Sequence, residues 1–285
     1  MNTTNLRFLV RQITGTGLGH NTLDLNGRYI DLEQALAERI PDGERILTLK
    51  SMTSVNENEV TTIIRLDKNP VTKYYDFHGY HVSVKRPESS QPLECYFKVE
   101  VYKTKGPNGS HSQGNPNITF AQAVKLLLGA SIRKLGRTPA GLITEVWYIL
   151  SPVFRVEGSS HRIERLDPHR GYAFELLAAL EVLPIARVYD RKNLKNELER
   201  GERVLVPMEI NNRSFTVNVE VNALERDLII TTKSGRRILG ADFKELIDSG
   251  LKKHPGGLVV KEKRDLLSQE KKPERRAKYV QGWKQ

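Results

Sequence analysis

The sequence predicts an α+β fold: a strand-rich N-terminal part, then a mixed part of helices and antiparallel sheet, then a basic C-terminal extension. Three observations carry that expectation. Leu93, Cys95, Phe97, Val99 and Val101 alternate with polar residues, as do Val204, Val206, Met208 and Ile210, the period of strands with one buried face. Thr119–Phe154 combines an amphipathic helical stripe with a nearly unbroken apolar run, which places the densest expected core mid-chain. Finally, the excess positive charge is gathered at one end. The expected organisation is a strand-rich domain over 1–105, a flexible loop or linker over 106–117, a mixed part over 118–250 and the basic extension over 251–285.

Taken in order, Leu6–Ile13 alternates loosely and reads as an opening strand. Gly15-Thr16-Gly17-Leu18-Gly19 is glycine-rich, but His20 occupies the sixth position of a dinucleotide fingerprint and no Gly-Lys-Ser/Thr follows. A flexible turn is expected there, and no cofactor. Leu23–Leu25 and Arg28–Ile30 flank Asn26-Gly27, whose positive φ angles suit a tight hairpin. Leu32–Ile40 reads as a short helix stopped by Pro41-Asp42-Gly43. Arg45–Leu49, Glu59–Leu66, Val71–Phe77, Tyr80–Lys85 and Leu93–Tyr102 follow as strands. Cys95 falls on the apolar side of the last and is expected to be a structural thiol.

Lys103–Asn117 is rich in Gly, Ser, Asn and Pro and reads as a loop. In the next stretch Phe120, Val124, Leu127, Leu128, Ile132 and Leu135 form one helical stripe, opened by a Thr119/Gln122 capping box and closed near Gly136. Leu142–Leu150 is too short to cross a bilayer and reads as a strand buried on both faces. A second helix is expected over Gly171–Leu183, with Leu176, Leu177, Leu180 and Leu183 on one face, and then a short strand over Ile185–Tyr189. Arg191–Arg200 reads as a charged helix closed by Gly201. Val204–Ile210, Phe215–Val221 and Leu228–Thr232 form an expected meander, extended by Arg236–Leu239 after a Ser234-Gly235 turn. Asp242 and Glu245 mark the start of a last short helix.

Val188-Tyr189-Asp190-Arg191-Lys192-Asn193-Leu194, followed by Phe215–Val221, resembles a segment of the N-terminal region of Argonaute proteins, where a Tyr-Asp-Gly-Lys-Lys-Asn-Leu-like stretch precedes a strand. The glycine of that pattern is missing here. The match covers only these few residues and no slicer domain follows, so the resemblance carries no functional residue across.

Chemistry-bearing patterns are sparse. His78 and His81 are three residues apart, and Cys95 or His111 are conceivable third ligands, but Gly79 suggests a turn and no second pair at ligand spacing supports a metal. Ser159, Ser160 and His161 are adjacent without an orienting acid. Glu94, Glu100 and Lys103 approach a metal-nuclease pattern, yet they equally describe the solvated side of a strand. No catalytic residue, metal or cofactor is assigned.

Charge is more informative. The chain of 285 residues has 45 Lys or Arg and 34 Asp or Glu, a net of +11. From Lys252 to Gln285 there are 11 basic against 4 acidic residues, a net of +7. Lys261, Lys263, Arg264, Lys271, Lys272, Arg275, Arg276 and Lys278 are each suited to meeting a phosphate, and Tyr279 and Trp283 place rings among them for stacking on exposed bases. The leading expectation is a non-enzymatic nucleic-acid-binding protein, DNA or RNA, as a subunit of a larger nucleoprotein complex. The alternative is a structural or assembly protein whose basic end binds an acidic protein partner, and a third reading is a metal-dependent nuclease or other enzyme acting on nucleic acid. One cysteine, no signal-peptide pattern and no apolar stretch near the roughly 20 residues of a membrane span imply an intracellular protein away from the membrane, cytoplasmic, or nuclear if eukaryotic.

Overall fold

The computed structural model describes residues 3–18, 23–25, 28–99, 117–137, 143–151, 161–210 and 213–238. The chain divides into two compact units. One comprises Met1–Leu180, Asp190–Val204 and Glu220–Leu228; the other comprises Glu181–Tyr189, Leu205–Val219 and the chain from Ile229. Helices and antiparallel sheets coexist, so the fold is α+β.

The first unit opens on helix α1 (Thr3–Thr14), where the sequence predicts a strand. Leu6, Leu9 and Ile13 are buried at helical spacing while Arg7, Phe8 and Arg11 face solvent. The loose alternation in this stretch yields to the longer period because the helical stripe finds a sheet to cover. Residues 15–18 of the glycine-rich segment after it form an ordered turn. Thr16 is buried, its hydroxyl donates to the Ile13 carbonyl at 2.6 Å, and its own carbonyl accepts from the Phe120 amide at 2.7 Å.

The hairpin follows as β1 (Leu23–Leu25) and β2 (Arg28–Ile30), paired in antiparallel register; Asn26 and Gly27 lie outside the described residues. Helix α2 (Leu32–Arg39) starts where the Asp31 carboxylate accepts from the Gln34 amide at 2.7 Å. Its buried Leu32, Ala35 and Leu36 join the core. Four long strands come next: β3 (Ile46–Val55), β4 (Asn58–Lys68), β5 (Tyr75–Lys85) and β6 (Leu93–Lys98). They form one antiparallel sheet in chain order. The two strands predicted over Val71–Phe77 and Tyr80–Lys85 are the single strand β5, and Val71 sits exposed in the turn before it.

Helix α3 (Phe120–Leu127) has the capping box read from Thr119 and Gln122. It stops well short of Gly136. Leu128 is its C-cap, Gly129 follows with φ near +99°, and the chain re-enters as strand β7 (Ile132–Arg137). Ile132 and Leu135 continue the helical stripe on paper, but they belong to a strand paired with β8 (Ile143–Leu150). Strand β9 (Ile163–Leu166) completes a three-stranded antiparallel sheet. Val146 and Trp147, adjacent in β8, are both buried, as a strand covered on both faces requires.

Helix α4 (Leu176–Glu181) is much shorter than the predicted Gly171–Leu183 helix, and Leu177 is exposed rather than on the buried face with Leu176 and Leu180. Pro168–Arg170 forms a 3₁₀ turn ahead of it. Helix α5 (Arg191–Glu199) is capped by the Asp190 carboxylate, which accepts from the Lys192 and Asn193 amides; Gly201 closes it with φ near +73°. The core of this unit is not centred on the mid-chain stretch. It is built from the inner faces of β3–β6 with α1, α2 and α3.

In the second unit lie most of β10 (Val204–Ile210), β11 (Arg213–Asn222), β12 (Asp227–Thr231) and the short β13 (Arg237–Ile238), a sheet in chain order. Val206, Met208, Val217, Val219 and Ile230 alternate onto its buried side, as the meander reading expects. The predicted strand at Ile185 reduces to one bridge with Met208. Asp242, Glu245 and the helix expected there lie outside the described residues. No helix among the described residues is long and apolar enough to cross a membrane.

Trp147 is 3% exposed and its ring lies 5.8 Å from that of Phe174. Trp147→Ala is expected to destabilise the protein by about 3–5 kcal/mol through lost transfer and a residual cavity. Denaturant unfolding checks this; a loss below about 1 kcal/mol contradicts the packing of β8.

Candidate nucleic-acid interface

Lys261, Lys263, Arg264, Lys271, Lys272, Arg275, Arg276, Lys278, Tyr279 and Trp283 all lie outside the described residues. So do Glu100, Lys103, His111, Ser159 and Ser160, and the predicted loop apart from Asn117. The chemistry that the structure does place is on the outer face of the β3–β6 sheet.

Alternation fixes which side chains reach that face. Leu47, Leu49, Val60, Ile64 and Leu66 point into the core, so their neighbours Thr48, Lys50, Ile63 and Arg65 point out. Strand register then assembles rows across the sheet. Lys50 pairs with Ile63, Ile63 with His81, and His81 with Tyr96. In the adjacent row Thr48 pairs with Arg65, and Gly79 with Lys98. Between Ile64 and Leu66 the β4–β5 register shifts, so His78 and Gly79 together oppose Arg65 in a β-bulge. Gly79 is therefore inside a strand and not in the turn that the sequence suggests.

The bulge glycine has a steric reason. A Cβ on Gly79 would sit deep inside the van der Waals envelope of the Phe97 carbonyl oxygen, 2.6 Å from the Tyr96 hydroxyl and 2.7 Å from its Cζ. The phenol end of Tyr96 thus lies across Gly79, along the sheet surface. Burial, followed by the nearby Asp67 carboxylate, raises the Tyr96 hydroxyl above its ordinary pKa, while Arg65 opposes that shift. The residue is still 48% exposed, so the ring offers surface to solvent. Beside it, Arg65 holds the Asp67 carboxylate at 3.0 Å in a solvent-exposed pair. His81 Nε2 is 3.8 Å from Glu94, and His78 is exposed.

Several polar groups away from this face are tied into the fold. Burial pushes the Cys95 thiol up to about 11, so it stays protonated and poorly nucleophilic, consistent with a structural thiol. Burial pulls Lys134 down to about 8, and its ammonium donates to the Asn117 carbonyl and the Gln122 side chain. Arg133 bridges Glu145 and Glu199, both at 2.7 Å, tying β7 to β8 and α5. The His161 amide donates to the Glu94 carbonyl at 2.7 Å. Among the described residues, no group of three or more His, Cys, Asp or Glu side chains converges to hold a metal ion.

No protein-family model, curated protein or solved structure matches this chain.

Sequence reasoning missed the outer-face band. The alternating phase of Tyr96 and Lys98 against Cys95 and Phe97 was a signal for two of its members. Gly79→Ala is expected to displace Tyr96 and to cost about 1–3 kcal/mol by overpacking. Thermal unfolding checks this, and an unchanged stability would contradict the crowding of Gly79 by the Phe97 carbonyl and the Tyr96 ring.

Proposed function

We propose that the protein binds nucleic acid without transforming it, as one subunit of a nucleoprotein complex, and that its basic C-terminal end meets the phosphates. The observation that carries this reading is the placement of charge. The last 34 residues, Lys252–Gln285, hold a net +7 of the chain's +11. Such a concentration matches a polyanion, because each neutralised phosphate releases counterions and that release drives binding. Tyr279 and Trp283, set among the cations, add rings able to stack on unpaired bases.

The same charge suits an acidic protein surface, and the two partners differ in what they require. Phosphate contact produces a steep, linear fall of log affinity with log salt, and ring stacking produces a preference for single strands. Deleting Lys252–Gln285 is expected to weaken binding to a labelled oligonucleotide and to flatten the salt slope, with the folded body retained. Replacing Tyr279 and Trp283 by alanine is expected to cost about 1–3 kcal/mol per lost stack on single strands only. A salt titration by fluorescence anisotropy checks both. Equal affinity for full and truncated chains discards the tail as the site, and absence of binding by either favours the acidic protein partner.

A further inference from the structure

We propose that the outer face of the β3–β6 sheet is a second contact surface, which takes an unpaired nucleic-acid strand with a base stacked on Tyr96 and phosphates against Lys50 and Lys98. The inference rests on the nucleic-acid reading above but on different residues and a different observation.

Two adjacent rows of the sheet carry Lys50, Arg65, His78, His81, Tyr96 and Lys98 and contain no carboxylate. The nearest acids of this face stand in the flanking rows, Asp67 opposite Asp76 on one side and Glu94 opposite Ser83 on the other. Asp67 is paired with Arg65 and Glu94 lies 3.8 Å from His81, which leaves the exposed Lys50 and Lys98 to face a phosphate. Lys50 and Lys98, on the two edge strands of the sheet, suit a polyanion running across the strands. Strands about 4.8 Å apart give the four-stranded band a width of about 14 Å, room for a short run of nucleotides.

Tyr96 makes the occupant specific. An exposed tyrosine normally stands away from the sheet, but the bulge at His78-Gly79 and the bare Cα of Gly79 let this ring lie along the surface. The ring already lies along the surface before any ligand arrives, so a base can stack on it without a large rearrangement. Duplex bases are already stacked on each other, whereas an unpaired base has a free π-face. An acidic peptide would use the lysines and leave the ring idle.

The test uses the full chain and fluorescein-labelled oligouridylate and oligodeoxythymidylate of about 12 nucleotides, a length within single-strand site sizes. Tyr96→Ala is expected to weaken binding about ten-fold or more, and Tyr96→Phe to preserve it. The Lys50→Ala, Lys98→Ala double variant is expected to weaken binding and reduce the salt slope by about two phosphate contacts. If Tyr96→Ala fails to fold, the lysine variant and photocrosslinking of a 5-iodouridine oligonucleotide decide instead, with the adduct expected on the β6 peptide. Unchanged affinity in the Tyr96 and lysine variants, or equal affinity for an abasic strand of the same length, overturns the proposal; the abasic result assigns the band to any polyanion, an acidic protein included. Alanine at Lys271, Lys272, Arg275 and Arg276 separates the two readings. Weakening there with no effect at Tyr96 overturns the sheet surface and keeps the tail. The reverse keeps the sheet surface and removes the tail. Failure of the wild-type chain to bind either oligonucleotide removes both.

Discussion

Burial on one side only of the β3–β6 sheet is the constraint from which the rest of the first unit follows. Leu47, Leu49, Val60, Ile64, Leu66, Phe77, Tyr80, Val82 and Val84 all point the same way and are all buried. Each contributes on the order of 1.5–3 kcal/mol if its apolar surface is removed from water, so the chain must supply a second layer. Helices α1 and α3 meet β5, α2 packs on α1, and Phe120, Val124 and Leu127 fill the space beneath α3. The polar groups that enter this layer are satisfied there. Tyr80 donates to the Ile118 carbonyl at 2.6 Å while its ring stacks on Phe97 with centroids 5.5 Å apart. Asn5 of α1 exchanges hydrogen bonds with the backbone of Tyr75, pinning the helix to the start of β5.

A sheet that uses one face for its core leaves the other for something else. Here that second face is neither uniformly charged nor uniformly apolar. The β5 bulge bends the ladder locally, the missing side chain at Gly79 removes a steric block, and Tyr96 fills the space without being buried. Fold and surface are thus coupled through one position. The ring lies as it does because the glycine permits it, and the glycine stands where the Phe97 carbonyl leaves no room for a Cβ.

How much of this was legible in the sequence depended on the range of the signal. Local signals were reliable: the Thr119/Gln122 capping box, the Gly201 stop, the β10–β11 alternation and the inward phase of Cys95 all describe contacts within a few residues. Signals with two compatible periods misled. Leu6, Leu9 and Ile13 fit a helix while the loose alternation around them also fits a strand, and only the sheet waiting to be covered decides between them. Ile132 and Leu135 extend a helical stripe past Gly129, although the backbone at Gly129 has already left the helix. The outer-face band was illegible because its members lie on four strands and meet only through register, which the bulge at His78-Gly79 shifts. A two-residue bulge leaves no compositional mark beyond one glycine, and that glycine read as a turn. The basic end is the opposite case, legible as composition because its signal is charge.

The account therefore stands or falls on whether the β3–β6 sheet is covered on one face and open on the other. Hydroxyl-radical footprinting of the native chain, read residue by residue, measures this directly. Tyr96 is 48% exposed, whereas Tyr75 is 2% exposed and Tyr80 0%. Rapid oxidation of Tyr96 is expected, with Tyr75 and Tyr80 protected until the protein unfolds. Protection of Tyr96 to the same degree as Tyr80 in the free protein would show the outer face to be covered, and would contradict the account.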